Sequence, residues 1–207
     1  MTPLKRICIG LLMARALLAQ ASPNVDSSVL PGTAMPAAPN MPYYEWNVCP
    51  GEGCVYGQWV ARGSVMVYNT YRHERFAVAR LAAGDRVSAR TGVVVTVKPG
   101  IIRMDRAVAK YDLKPGDKIL SYAYSGEGFA TVWFNGRLIQ GFDISFTKWP
   151  DGAGCHGASC RATYLDLGEH IWWAEVKLAS GKIGWVNMNE NDFDGTCSLK
   201  QPGHHAR

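Results

Sequence analysis

At 207 residues, 47% hydrophobic and 19% charged, the chain can bury a core as one domain or two small ones, which excludes wholesale disorder. The formal net charge of +5 comes from 22 Lys and Arg against 17 Asp and Glu. Removing a leader that contains Lys5, Arg6 and Arg15 leaves 19 basic residues against 17 acidic, about +2, too small a surplus for a general nucleic-acid binder.

Lys5 and Arg6 form a positive start, Ile7 to Leu18 is mostly apolar, and Ala19-Gln20-Ala21 is a small-x-small cleavage site. That order predicts a signal peptide over 1–21 and a periplasmic or secreted protein. A spanning helix needs about 20 apolar residues, and no later stretch approaches that, so no transmembrane span is expected after cleavage. Residues 22–42, rich in Pro, Ala, Ser and Asn, show no period and read as a disordered linker. Residues 198–207 read as a disordered tail.

Cys49-Pro-Gly-Glu-Gly-Cys54 and Cys155-His-Gly-Ala-Ser-Cys160 share one spacing. Each has a Trp upstream (Trp46, Trp149) and a Tyr downstream (Tyr56, Tyr164). In an exported protein, such pairs read first as local disulfides. Loops this short gain about 2 kcal/mol of chain-entropy stabilisation, so the bridges set loop shape more than they hold the fold. Cys197 is left over: it is free, displaces one partner, or joins two chains in a dimer. His156 invites a metal reading, but zinc wants four ligands at tighter spacing. No metal and no cofactor are expected.

Between the cysteine pairs the chain reads as strands. Leu81-Ala-Ala-Gly84-Asp85-Arg86-Val87 repeats as Leu113-Lys-Pro-Gly116-Asp117-Lys118-Ile119, a tight glycine turn feeding a strand each time. Val65–Tyr68 and Phe76–Leu81 alternate, Val93–Val97 is β-branched, and Asn135-Gly136 between apolar runs predicts a hairpin. Thr70–Ala83 reads either as helix or as strand and loop, and Asp105–Tyr111 predicts a short helical turn. The strongest signal is Trp172–Val186, two period-two arms around Ala-Ser-Gly. Trp172, Ala174, Val176 and Leu178 share one face of its first arm; Trp173, Glu175 and Lys177 share the other.

Chemistry-bearing motifs are incomplete. His73-Glu74-Arg75-Phe76-Ala77 begins like a zinc-protease motif, but Ala77 stands where the second metal-binding His belongs. Asn187-x-Asn189-x-Asn191-Asp192 resembles a calcium loop until Asp192 replaces the required Gly, and reads as an acidic surface turn. His156–Arg161 resembles the Ser-His-Gly-Cys-x-Arg segment of periplasmic transpeptidases with broken spacing. On that resemblance Cys160 is a nucleophile with His170 or His156 as its base. No enzymatic activity is expected otherwise.

The Leu-x-x-Gly-Asp-basic-aliphatic pair and the closing Gly184-Trp185-Val186 after a Trp-rich arm resemble bacterial SH3-like domains. The resemblance implies a mainly β fold of two small SH3-like β-barrels in tandem, over 43–110 and, with a long insertion, 111–197. It also implies a non-catalytic envelope module that contacts peptidoglycan, an anionic wall polymer or a protein partner. A structural, disulfide-stabilised envelope protein without a ligand is the alternative.

The residues supply their own site. Trp173 is expected to be an exposed platform flanked by Trp185 and Tyr124, unless these aromatics fill the core. From Arg62 to Lys118 there are 12 basic residues against 5 acidic; from Ile119 to Thr196, 5 against 9. Within the basic half, Arg75, Arg86 and Arg90 are expected to face an anionic ligand.

Overall fold

A computed structural model describes residues 37–51, 53–152 and 154–196. The predicted signal peptide, most of the linker, Cys197 and the tail lie outside the described residues. The fold is mainly β. In chain order the strands are β1 (Tyr43–Trp46), β2 (Gln58–Ala61), β3 (Val65–Tyr68), β4 (Ala77–Leu81), β5 (Arg86–Lys98), β6 (Gly100–Met104) and β7 (Lys118–Gly126). There follow β8 (Phe129–Phe134), β9 (Arg137–Asp143), β10 (Thr147–Lys148), β11 (Ala162–Asp166), β12 (Glu169–Leu178), β13 (Ile183–Asn187) and β14 (Phe193–Asp194). Short 3-10 turns occupy Ala109–Tyr111, inside the predicted helical turn, and Gly157–Ser159. No helix among the described residues is long and apolar enough to cross a membrane.

The strands form two curled sheets. One runs β14-β2-β5-β12-β13-β3-β4, with β1 also paired to β5; the other runs β10-β11-β6-β7-β8-β9. Alternation places Trp59, Val65, Val67, Val87, Ala174, Val176, Val186 and Phe193 in the core of the first. Ile102, Met104, Ile119, Val132, Phe142 and Tyr164 fill the second. The unit expected over 111–197 includes the Trp172–Val186 hairpin, which the structure lays in the first sheet. Its first arm pairs with β5 and its second with β3, so the last strands close the first sheet. The second sheet is therefore inserted within the first, and the expected division at 110/111 falls between β6 and β7 of that one sheet.

The two Leu-x-x-Gly-Asp copies adopt one geometry. Gly84 and Gly116 both have φ of 92°, a left-handed setting that disfavours a side chain. The Asp85 carboxylate accepts from Ala82 N at 2.8 Å, and Asp117 from Lys114 N at 2.7 Å. Gly84 N donates to Ala61 O and Gly116 N to Met104 O, each at 2.8 Å. Each turn thus locks the start of a long strand to its pairing partner, β5 to β2 and β7 to β6.

The sheets meet along β5. Its first part pairs with β2 and its second part with β1, while β12 runs beside both. At the seam Val48, Val94, Ala123 and Trp172 pack together, Tyr43 meets Tyr122 edge-on at 5.0 Å, and the Thr96 hydroxyl donates to Tyr122 O. The Cys49–Cys54 loop sits on the β7–β8 turn, where Gly53 N donates to the Glu127 carboxylate at 2.9 Å.

Candidate functional site

The outer face of the first sheet gathers an aromatic cluster. Register puts Trp46, Val93 and Trp173 in one row, Tyr44, Val95 and Ile171 in the next, and Glu175, Trp185 and Tyr68 in a third. Onto this face folds the loop between β3 and β4, closed by Asn69 N to Phe76 O at 3.1 Å and Phe76 N to Asn69 Oδ1 at 2.9 Å. That loop delivers Tyr71, Arg72 and Arg75. It also settles the 70–83 segment as loop followed by strand.

The rings interlock edge to face. Tyr71 lies 4.9 Å from Trp185, 5.3 Å from Trp46 and 5.9 Å from Tyr44, and Trp46 lies 6.1 Å from Trp185. Perpendicular packing matches the positive edge of one ring to the negative face of the next. Arg72 stacks over Tyr71 at 5.8 Å, and Arg75 over Trp173 at 4.9 Å and Tyr68 at 5.4 Å. Neither arginine has a carboxylate partner among the described residues. Arg90 pairs with Glu175 at 3.4 Å on the same surface.

Several expected site residues are here and others are not. Trp185 and Arg75 belong to the cluster, and Arg90 borders it. Trp173 is on the predicted face but is not a platform: only 2% exposed, it is roofed by Tyr68 and Arg75 and flanked by Val93 and Val95. Tyr124 is in the second sheet against Trp149 and so does not flank Trp185. Arg86 is exposed at the start of β5, outside the ring cluster. Within the interlocked cluster the most exposed ring is Trp46, 47% accessible, with Tyr44 beside it. Their period-two spacing in Tyr43-Tyr44-Glu45-Trp46 was the available signal. Tyr71 and Arg72 sit in a loop and carried none.

Both predicted disulfides are present, Cys49–Cys54 and Cys155–Cys160, so Cys160 is bonded and carries no thiolate in this state. His156 is exposed. Among the described residues no group of three His, Cys, Asp or Glu side chains is placed to hold a metal ion.

His170 is engaged at the seam between the sheets. Its Nε2 donates to Leu167 O at 2.9 Å, and Nδ1 faces Thr96 Oγ1 at 3.2 Å. Burial lowers its pKa below the ordinary 6.5, opposed by the Leu167 and Tyr122 carbonyls and the Glu169 charge. Unfolding then takes up a proton, so stability is lost as pH falls from 6.5 toward the folded value. Thermal melts should show Tm dropping by a few degrees across that window, and His170→Gln should flatten the drop. Carboxylates held low, Asp105 by Thr163 and Arg103 and Asp166 by Lys98, act only below their ordinary 3.8. An unchanged slope in His170→Gln would assign the dependence elsewhere.

Comparison with known proteins finds no family model, no curated protein and no solved structure that matches the chain.

Proposed function

We propose that the protein is an exported, non-catalytic binding module of the cell envelope, with SH3-like units, whose working surface is the outer aromatic and arginine face of the first sheet. The observation that carries this reading is the exposed Trp46, wedged against Tyr71 and Trp185 beside two arginines that have no carboxylate partner among the described residues. Water-facing rings bordered by charge mark interaction surfaces, and Trp, Tyr and Arg dominate their energetics. Export is supported by the leader pattern and by two disulfides, which persist in oxidising compartments. The twin glycine turns support the SH3-like reading.

Sedimentation with the source cell's isolated envelope fragments tests this. The purified protein should pellet with them, and Trp46→Ala and Trp185→Ala should each weaken binding about tenfold with the fold intact by circular dichroism. Added salt should weaken it further as the arginines are screened. A protein that stays in the supernatant, or variants that pellet like the wild type, would end the proposal.

A further inference from the structure

We infer that the ligand of this face is an acid-bearing polysaccharide, its pyranose rings on Trp46 and Tyr44 and its carboxylates on Arg72 and Arg75; the inference rests on the binding-face reading above. Three observations select that chemistry. First, the exposed rings offer faces to C–H bonds, whose partial positive charge suits the negative face of an aromatic ring. Trp46 and Tyr44 are 47% and 38% exposed, so that area is open to solvent.

Second, the guanidiniums are held in place but uncommitted as donors. Arg72 rests on Tyr71 and Arg75 on Tyr68 and Trp173, and their intraprotein hydrogen bond is a long one, Arg75 Nη1 to Arg72 O at 3.4 Å. A guanidinium that lies over a ring and has no carboxylate partner among the described residues keeps N–H donors for an incoming carboxylate, which it can take bidentately. Glu175 on this face is already paired with Arg90, and Glu74, between the two arginines in the loop, forms no ion pair with either among the described residues.

Third, neighbouring rings stand perpendicular, at 88° for Trp46 and Tyr71, 77° for Trp46 and Trp185 and 63° for Tyr71 and Trp185. Successive bases of a single-stranded nucleic acid want parallel platforms, which these rings do not provide. An acidic peptide or an anionic lipid would meet the arginines but carries no saturated ring to lay its C–H face on Trp46. Rings and acids repeated along one polymer use both.

Affinity electrophoresis separates these possibilities. The probe is polygalacturonate cast in the gel, compared with its methyl ester, poly-glutamate and oligothymidine, with phosphatidylglycerol vesicles assayed by flotation. Polygalacturonate should retard the protein, and the methyl ester should bind about tenfold more weakly because the charge-assisted bonds are gone. Trp46→Ala and Arg72→Gln should each weaken polygalacturonate binding about tenfold, and Lys118→Gln, which removes a charge from the second sheet, should not. Poly-glutamate, oligothymidine or vesicles binding as tightly as polygalacturonate would overturn the inference, as would no retardation by polygalacturonate. If envelope sedimentation still depends on Trp46 in that case, the binding face stands and only the glycan assignment falls. If sedimentation is indifferent to Trp46, the face itself falls.

Discussion

Trp59→Ala is expected to destabilise the protein by about 4 kcal/mol in urea titrations, the middle of the range for emptying a packed aromatic site. Trp59 is fully buried and touches three other rings: Tyr56 stacked at 5.8 Å, Phe193 at 5.6 Å and Trp172 at 6.3 Å. It thereby joins β2, β12 and β14, elements far apart in sequence. Its indole Nε1 also donates to Val55 O at 3.0 Å, so truncation leaves that carbonyl unpaired as well as opening a cavity. The surrounding strands are tied into a ladder and cannot collapse into the space. Trp46→Ala, by contrast, removes a ring half in water and should change stability by less than about 1 kcal/mol. Near-equal losses for the two would mean that the first sheet's core lies elsewhere.

Gly92→Ala is expected to cost about 3 kcal/mol, at the severe end of overpacking by one methyl group. A Cβ at this position would lie 2.2 Å from Tyr56 Oη, 2.8 Å from Trp173 O and 2.9 Å from Trp172 Nε1. The first contact is a side chain, but its hydroxyl donates to Val48 O, so moving it breaks a bond at the seam. The second is the backbone of β12, fixed opposite β5 by the Gly92–Ala174 register. Relief therefore requires separating the two longest strands, which hold both sheets in position. Urea titration of Gly92→Ala falling within about 1 kcal/mol of wild type would show that β12 yields freely there.

What could be read in the sequence was local. The Trp172–Val186 hairpin forms as expected, with Trp172, Ala174, Val176 and Leu178 turned to the core and Trp173 and Glu175 away from it. Asn135-Gly136 turns β8 into β9 with positive φ at both residues, 46° and 76°. The cysteine pairs close their own short loops. The return of β12, β13 and β14 to the first sheet was not legible, because strand alternation fixes which face is buried and leaves the distant partner strand undetermined. The site was half legible for the same reason. Spacing put Trp173 on the outer face, but its roof comes from Tyr68 and from Arg75 on the β3–β4 loop, which no period announces.

The central claim is that one face of the first sheet does the binding, and the seven tryptophans report on it directly. A proton–nitrogen correlation spectrum of the indole groups, recorded with and without solubilised envelope polymer, distinguishes that face from the rest of the molecule. The Trp46 and Trp185 signals should move on addition, while Trp59 in the core and Trp133 and Trp149 in the second sheet hold still. Movement confined to Trp133 and Trp149, or no movement at Trp46, would contradict the account.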